Sequence, residues 1–170
     1  MTYEQAAYFR LLLLLGYPEP LDSFFDAALE DEEPLSEVIL ALVDCGGNRK
    51  AQMVALYEYT QRETQVDYTA VGRYVLDFAR EKKTAGWSLD QTVHFLYCAY
   101  KAAEREDEPW WSMMVCDAWY DDAKWNWCSK EDFLECFERF LCDGEKLSVP
   151  QRTVPKQESF WQKLRKLWKR

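Results

Sequence analysis

Glycine and histidine are scarce in this chain, and paired cysteines are missing. Its 170 residues include six glycines and one histidine, and its six cysteines form no Cys-x-x-Cys pair. Phosphate-cradling loops depend on glycine, whereas zinc-ribbon and thioredoxin-type motifs depend on closely spaced cysteines. Signatures of dinucleotide-binding proteins, zinc proteases and serine hydrolases are absent as well. We therefore expect no enzymatic activity, no metal site and no cofactor.

A secretory signal and a membrane-spanning segment are not recognised either. The candidate is the leucine run Leu11 to Leu15, which is preceded by Arg10 and ended by Gly16. A spanning helix needs about 20 apolar residues, so this run is too short. A chain with this much apolar content does not depend on disulfide bonds, which form mainly outside the cytoplasm. The sequence predicts a cytoplasmic protein with free thiols.

Strand signals are nearly absent, whereas helix signals recur along the chain. Thr2 to Gln5 and Ser88 to Gln91 both have the form of a capping box, which opens a helix. We expect the first helix to be central and buried on most sides, because five successive leucines cover every side of a helix. The second box should open a helix that reaches about Glu106. These patterns predict an all-α fold, a bundle of about eight helices.

The chain divides by composition into three parts. Residues 1–144 carry the helix signals that we assign to one acidic helical domain. Residues 145–157 contain Pro150 and Pro155 among polar residues, which is typical of a linker. Residues 158–170 have the pattern of a basic amphipathic helix.

Charge is distributed unevenly between these parts. Residues 151–170 contain seven lysines and arginines and one glutamate, a net charge of +6, so the first 150 residues carry −15 within a formal total of −9. An acidic body repels nucleic acid phosphates and anionic lipid, whereas a basic end attracts both. We therefore do not expect the body to bind nucleic acid, and we assign any anionic partner to the C-terminal helix.

The C-terminal helix combines an apolar stripe with cations. Its aromatic and leucine side chains recur at helical spacing, and lysines and arginines occupy the other side. This pattern is typical of a helix lying in a membrane interface, and it resembles the short C-terminal membrane-targeting helices of some bacterial division proteins. Two alternatives are folding back onto the acidic body and docking into a groove of another macromolecule. The residues predicted to bind an anionic membrane or partner are Phe160, Trp161, Lys163, Leu164, Arg165, Lys166, Leu167, Trp168, Lys169 and Arg170.

Tryptophan is concentrated in one stretch. Five of the eight tryptophans lie between residues 110 and 127, with two methionines among them. Such residues either fill the core of a small bundle or form an adaptable recognition surface. Trp125 and Trp127 are the least easily buried, because they fall in a predicted loop from Asp121 to Cys128. The residues predicted to contact a protein partner are Trp125, Trp127, Trp110 and Trp111.

One helix carries chemically reactive side chains on its polar side. Asp90, His94 and Cys98 follow one another at intervals of four residues, which would align a carboxylate, an imidazole and a thiol. Nothing places Cys98 at a helix N-terminus, where its thiolate would be stabilised. The carboxylates between residues 117 and 138 match no calcium-binding loop. We interpret both groups as solvated surface.

The start of the chain resembles a known family. Phe9 to Leu29, with the leucine run and a Tyr17-Pro18-Glu19 turn, is similar to the start of cytoplasmic redox-enzyme maturation chaperones, which are also acidic and all-helical. The resemblance covers only this segment, and the chain has no counterpart of those chaperones' Glu-Pro-x-Asp-His motif. It therefore implies no function for this chain.

Together these patterns favour a non-enzymatic protein that binds or inhibits another protein and is attached peripherally to the inner face of a membrane by its C-terminal helix. The first alternative is a soluble acidic inhibitor that imitates nucleic acid and occupies a basic groove on an effector, as immunity and anti-defence proteins do. A further alternative is an enzyme that uses His94 or Cys98.

Overall fold

The computed structural model describes residues 1–31, 35–62 and 65–147. These residues form eight α-helices without any strand, which confirms the predicted all-α bundle. The predicted C-terminal helix, residues 158–170, lies outside the described residues. The helices are α1 (Tyr3–Leu15), α2 (Glu19–Asp31), α3 (Glu37–Asp44), α4 (Arg49–Thr60), α5 (Tyr68–Thr84), α6 (Leu89–Ala103), α7 (Trp110–Lys124) and α8 (Lys130–Asp143).

Side-chain caps begin two of these helices as the sequence predicts. At α1, Thr2 Oγ1 accepts a hydrogen bond from Gln5 N over 3.1 Å, and Gln5 Oε1 accepts one from Thr2 N over 2.9 Å. Ser88 and Gln91 form the same reciprocal pair at α6. Each pair satisfies amide groups that have no partner inside the helix. Both predicted capping boxes are therefore confirmed.

Two helix ends differ from the predicted ones. α6 ends before Glu104 rather than near Glu106, because Glu104 adopts the left-handed conformation, with a φ of 53°. α7 continues to Lys124, so the loop predicted to begin at Asp121 shortens to residues 125–129. The two aspartates at positions 121 and 122 are as compatible with the solvent side of a helix as with a loop, which is why composition did not reveal this end.

Two hydrophobic clusters form the core, and α1 contributes to both. The larger cluster joins α1 to α5, α6, α7 and α8, and the smaller cluster joins α1 to α2, α3 and α4. Leu11 and Leu12 belong to the larger cluster, whereas Ala6 and Phe9 belong to the smaller one. The central position predicted for the first helix is therefore confirmed.

One position of the leucine run is exposed to solvent. Leu14 is 50% exposed, and its neighbours Leu13 and Leu15 are half-buried. The helices around α1 cover the sides that face the two clusters, whereas Leu14 lines a small cleft between α4 and α6. The predicted burial of the first helix on most sides is confirmed, because Leu14 is the one exposed residue of α1.

The helical domain extends beyond the predicted boundary at residue 144. Leu147 is buried in the larger cluster, and its amide nitrogen donates to Ser112 Oγ over 3.1 Å. Residues 145–147, which the sequence assigned to the linker, therefore belong to the folded body. Gly144 does end α8 in the left-handed conformation, but the chain then returns an apolar side chain to the core. The rest of the predicted linker lies outside the described residues.

Candidate binding surface

The connection between α7 and α8 exposes two tryptophans. Trp125 is 70% exposed and Trp127 is 60% exposed, the largest fractions among the large apolar side chains of the described residues. We call residues 125–128 the tryptophan turn. Two such exposed tryptophans within three residues are unusual, because aromatic side chains normally bury most of their area.

The backbone of the tryptophan turn is fixed by the end of α7. Trp125 N donates to the Asp121 carbonyl oxygen over 3.1 Å, and Trp127 N donates to the Asp122 carbonyl oxygen over 2.9 Å. Between them, Asn126 adopts the left-handed conformation with a φ of 57°, which asparagine tolerates better than most residues. The turn is therefore a hydrogen-bonded helix ending, and its indoles extend from a defined backbone.

Buried aromatic residues support the turn from below. Trp119 donates from Nε1 to Cys128 Sγ over 3.0 Å, and its ring meets Phe133 edge-to-face at 5.5 Å. Phe133 in turn stacks on Phe137 of α8 at 5.6 Å. Because both Trp119 and Phe133 are buried, the turn joins two helices whose contact is part of the main core. A surface held in this way loses little conformational entropy when it binds a partner.

The surroundings of the turn are acidic. Residues 117–132 contain five carboxylates and two lysines. One of these lysines, Lys124, is already bound: its Nζ lies 2.6 Å from Asp90 Oδ1 and 4.0 Å from Asp121 Oδ1. The hydrogen bond from Lys124 holds the pKa of Asp90 below its usual value. The turn therefore presents exposed indoles within a field of negative charge, which favours a cationic partner.

The other two tryptophans predicted as contacts have different environments. Trp110 has an exposed fraction of 0%, and its Nε1 donates to the Tyr68 carbonyl oxygen over 3.0 Å. Its prediction as a partner contact is therefore wrong, because the side chain lies in the core. Trp111, the next residue, lies on a different side of α7 from Trp110, because successive residues of a helix are about 100° apart around its axis. It is 42% exposed. Its predicted contact with a partner stays a prediction.

The polar side of α6 does not assemble the predicted row of three groups. Cys98 Sγ lies 3.5 Å from His94 Nε2, but Asp90 is held by Lys124 instead. Burial, with a smaller effect from the charge of Asp117, raises the pKa of the Cys98 thiol. Asp117 belongs to α7, so sequence spacing along one helix could not reveal it. The arrangement favours a neutral thiol, which is a poor nucleophile.

Metal binding finds no support in the described part of the chain. Within residues 1–31, 35–62 and 65–147, no group of three or more histidine, cysteine, aspartate or glutamate side chains is placed to hold a metal ion. The carboxylates near α7 and α8 are spread over helix surfaces rather than converging on one point. Their interpretation as solvated residues stays a prediction.

A second concave surface lies at the beginning of α5. It encloses about 640 Å³ and is lined by residues from the end of α4, the start of α5 and the segment after α6. The Arg105 guanidinium stacks over the Tyr68 ring at 3.8 Å. Asp67 and Asp107 line the same surface, so its positive and negative groups are mixed. The sequence did not predict this surface, because it is assembled from two stretches, residues 60–69 and 105–107, that lie far apart in the chain.

The residues predicted to bind a membrane, from Phe160 to Arg170, lie outside the described residues, and their role stays a prediction. Among the helices that the structure describes, none has the length and apolar character needed to cross a bilayer.

Comparison with models of protein families, with curated proteins and with solved structures finds no match to this chain.

Proposed function

We propose that this protein is a non-enzymatic binding protein whose tryptophan turn contacts a protein partner with a cationic surface. The observation that carries the proposal is the exposure of Trp125 and Trp127, at 70% and 60%, on a backbone fixed by hydrogen bonds. Tryptophan is the residue most enriched among those that dominate binding energy at interfaces. Because α7 and α8 hold the backbone of the turn in place while both indoles stay exposed, a role of these side chains in binding is favoured over a role in packing.

The exposed area is sufficient for two anchoring residues. A tryptophan buries 150–250 Å² in an interface, so the exposed part of each indole here amounts to roughly 130 Å². At about 25 cal/mol per Å², its removal from water contributes about 3 kcal/mol before the cost of association is subtracted. Two such side chains lie in the range of interface residues that dominate affinity.

Negative charge around the turn indicates the chemistry of the partner. The five carboxylates of residues 117–132 attract lysine and arginine side chains, and indole faces bind the same cations. This surface also supports a second candidate function, a soluble acidic inhibitor that occupies a basic groove on an effector. In both functions a cationic partner binds at the tryptophan turn. They differ in the activity of the partner that is bound.

Affinity capture with full-length bait tests the role of the turn. Trp125→Ala with Trp127→Ala should lose a partner that the wild-type protein and Val54→Ala, at an exposed apolar side chain on α4, both retain. With that partner purified, the double substitution should raise the Kd at least tenfold, because each anchor contributes on the order of 2 kcal/mol. Higher salt should also weaken the wild-type complex. Equal retention by all three baits would contradict the proposal.

Attachment to a membrane is proposed for residues 158–170 on the basis of their sequence pattern. Full-length protein should sediment with phosphatidylserine-containing vesicles at low salt, whereas a chain ending at Val149 should stay in solution. Vesicles of phosphatidylcholine alone are the control for charge. Trp111→Ala is the control for exposed tryptophan elsewhere, and it should sediment like the wild type. Equal behaviour of the full and shortened chains would reject membrane attachment.

A further inference from the structure

We infer that the tryptophan turn, when no partner is bound, is occupied by residues 158–170 of the same chain. We call these residues the basic segment. The inference rests on the proposed role of the turn as a docking surface, and it concerns how that surface is regulated. It follows from complementary chemistry, from the place where the described chain ends and from the length of the connecting chain.

The turn and the basic segment are chemically complementary. The turn offers two exposed indole rings within an acidic region. The basic segment offers five lysines and arginines beside an apolar stripe that includes Phe160, Trp161 and Trp168. Cations stack on indole faces and pair with carboxylates, while the apolar stripe covers aromatic area that is otherwise exposed to water. Each feature that makes the turn a docking surface is matched by the basic segment.

The described chain ends within reach of the turn. Leu147 is bound to Ser112, in the first turn of α7, whereas the tryptophan turn follows the other end of that helix. α7 has 15 residues and is therefore about 22 Å long. Residues 148–157, fully extended, span about 33 Å. The connection is therefore long enough to place the basic segment against the turn.

The surface between these two points is acidic. α8 runs from the turn back toward the chain end and exposes Glu131 and Asp132 to solvent, while farther along the exposed Glu135 Oε1 lies 3.9 Å from Arg139 Nη2. A cationic segment that returns along this helix meets carboxylates along its path rather than only at its end. Because only residues 148–157 connect it to the described chain, covalent attachment raises its effective concentration at the turn to the order of millimolar. A weak contact is then sufficient to keep the turn covered.

This contact would compete with both proposed binding events. The aromatic side chains of the basic segment cannot lie in a membrane interface and on the turn together. Binding to an anionic membrane would therefore uncover Trp125 and Trp127, and a partner at the turn would release the basic segment for the membrane. Such coupling is reciprocal, because each event removes the same competing contact.

Hydroxyl-radical footprinting of the full-length protein, read by mass spectrometry, tests this contact. At low salt, Trp125 and Trp127 should be oxidised several-fold more slowly in the wild type than in a full-length variant with Lys163→Glu, Arg165→Glu and Lys166→Glu. A chain ending at Val149 should show the same raised rates as the variant. Trp111 is the matched exposed control and should not change, and buried Trp110 should stay slow throughout. High salt should remove the difference by screening.

Equal oxidation of Trp125 and Trp127 in the wild type and the variant would overturn the inference. Protection that increases with protein concentration would also overturn it, because the occupant would then be the basic segment of a second copy. Failure of this inference is distinguishable from failure of the proposed function. Equal oxidation in a protein whose capture of a partner still depends on Trp125 and Trp127 rejects the intramolecular contact alone. Intact protection in a protein that does not sediment rejects the membrane attachment alone.

Discussion

The indole nitrogen of Trp110 donates a hydrogen bond to the carbonyl oxygen of Tyr68 over 3.0 Å and thereby joins the first residue of α7 to the first residue of α5. The two helices approach closely at this point, because α5 carries Gly72 where Pro109 and the Trp110 ring lie. A helix interior normally disfavours glycine. Here the absence of a side chain at Gly72 leaves room for the start of α7. A residue that is unfavourable within its own helix therefore allows α5 and α7 to approach closely.

Replacement of the two adjacent tryptophans should separate their roles. Trp110→Ala should lower the free energy of unfolding by about 3–5 kcal/mol, because it removes a fully buried aromatic side chain and its hydrogen bond. Trp111→Ala should lower it by less than about 1 kcal/mol, since its side chain is 42% exposed. Urea denaturation followed by circular dichroism measures both. Comparable losses for the two variants would contradict the assigned burial.

Replacement of Gly72 by alanine should destabilise the protein, which is the opposite of what helix propensity alone predicts. A Cβ atom at this position would lie 2.5 Å from Pro109 Cγ and 2.7 Å from Pro109 Cδ, well inside van der Waals contact. Gly72→Ala should therefore destabilise the protein by about 1–3 kcal/mol, although the same change in an open helix interior stabilises by up to about 1 kcal/mol. Thermal and urea unfolding would show the sign, and an increased midpoint would disprove the close approach.

Helix content was predictable from the sequence because its signals are local. The boxes at Thr2 and Ser88 depend on residues three positions apart, and both form. Exposure of Trp125 and Trp127 was also predicted, since their neighbours in the chain are polar. These features need no knowledge of which helices are neighbours. Where a structural property depends on distant segments, the sequence patterns were less informative.

Burial of Trp110 illustrates that limit. The start of α7 is apolar on several sides, so periodicity alone does not select which tryptophan enters the core. Gly72, on α5, leaves the space in which Pro109 and the Trp110 ring lie, so a residue of another helix favours the burial of Trp110. Asp117 likewise approaches the polar side of α6 from α7, and Leu147 follows a glycine that signals only the end of a helix. Each of these positions depends on contacts between helices, which one sequence does not specify.

The chain after α8 should contribute measurably to stability. Leu147→Ala in the full-length protein should lower the free energy of unfolding by about 2–4 kcal/mol, since it leaves a cavity in the larger cluster. A chain ending at Gly144 should lose at least as much relative to one ending at Val149. Glu145→Ala is the control, because its exposed ion pair with Arg139 contributes at most about 1 kcal/mol. Equal stability of the two shortened chains would move the boundary back to residue 144.

Neutralisation of Asp117 should stabilise the protein in a manner that depends on pH. Burial, with a smaller effect from the charge of Asp121, raises the pKa of Asp117, while the nearby His94 and Lys124 oppose that shift. A carboxyl whose pKa is higher in the folded state holds its proton more tightly there, so stability falls as pH rises from the unfolded pKa through the folded one. The ionised form therefore carries its full cost above that range, including at pH 7.

Asp117→Asn should accordingly raise the urea midpoint at pH 7, and the gain should disappear below the ordinary aspartate pKa of about 3.9, where both proteins are neutral at this position. Asp26→Asn, at an exposed aspartate on α2, controls for the general reduction in negative charge. A gain of the same size for both variants, or one that persists at low pH, would mean that overall charge rather than the burial of Asp117 sets the effect. A loss at pH 7 would mean that attraction to His94 and Lys124 outweighs burial, and it would reverse the sign assigned to this carboxyl.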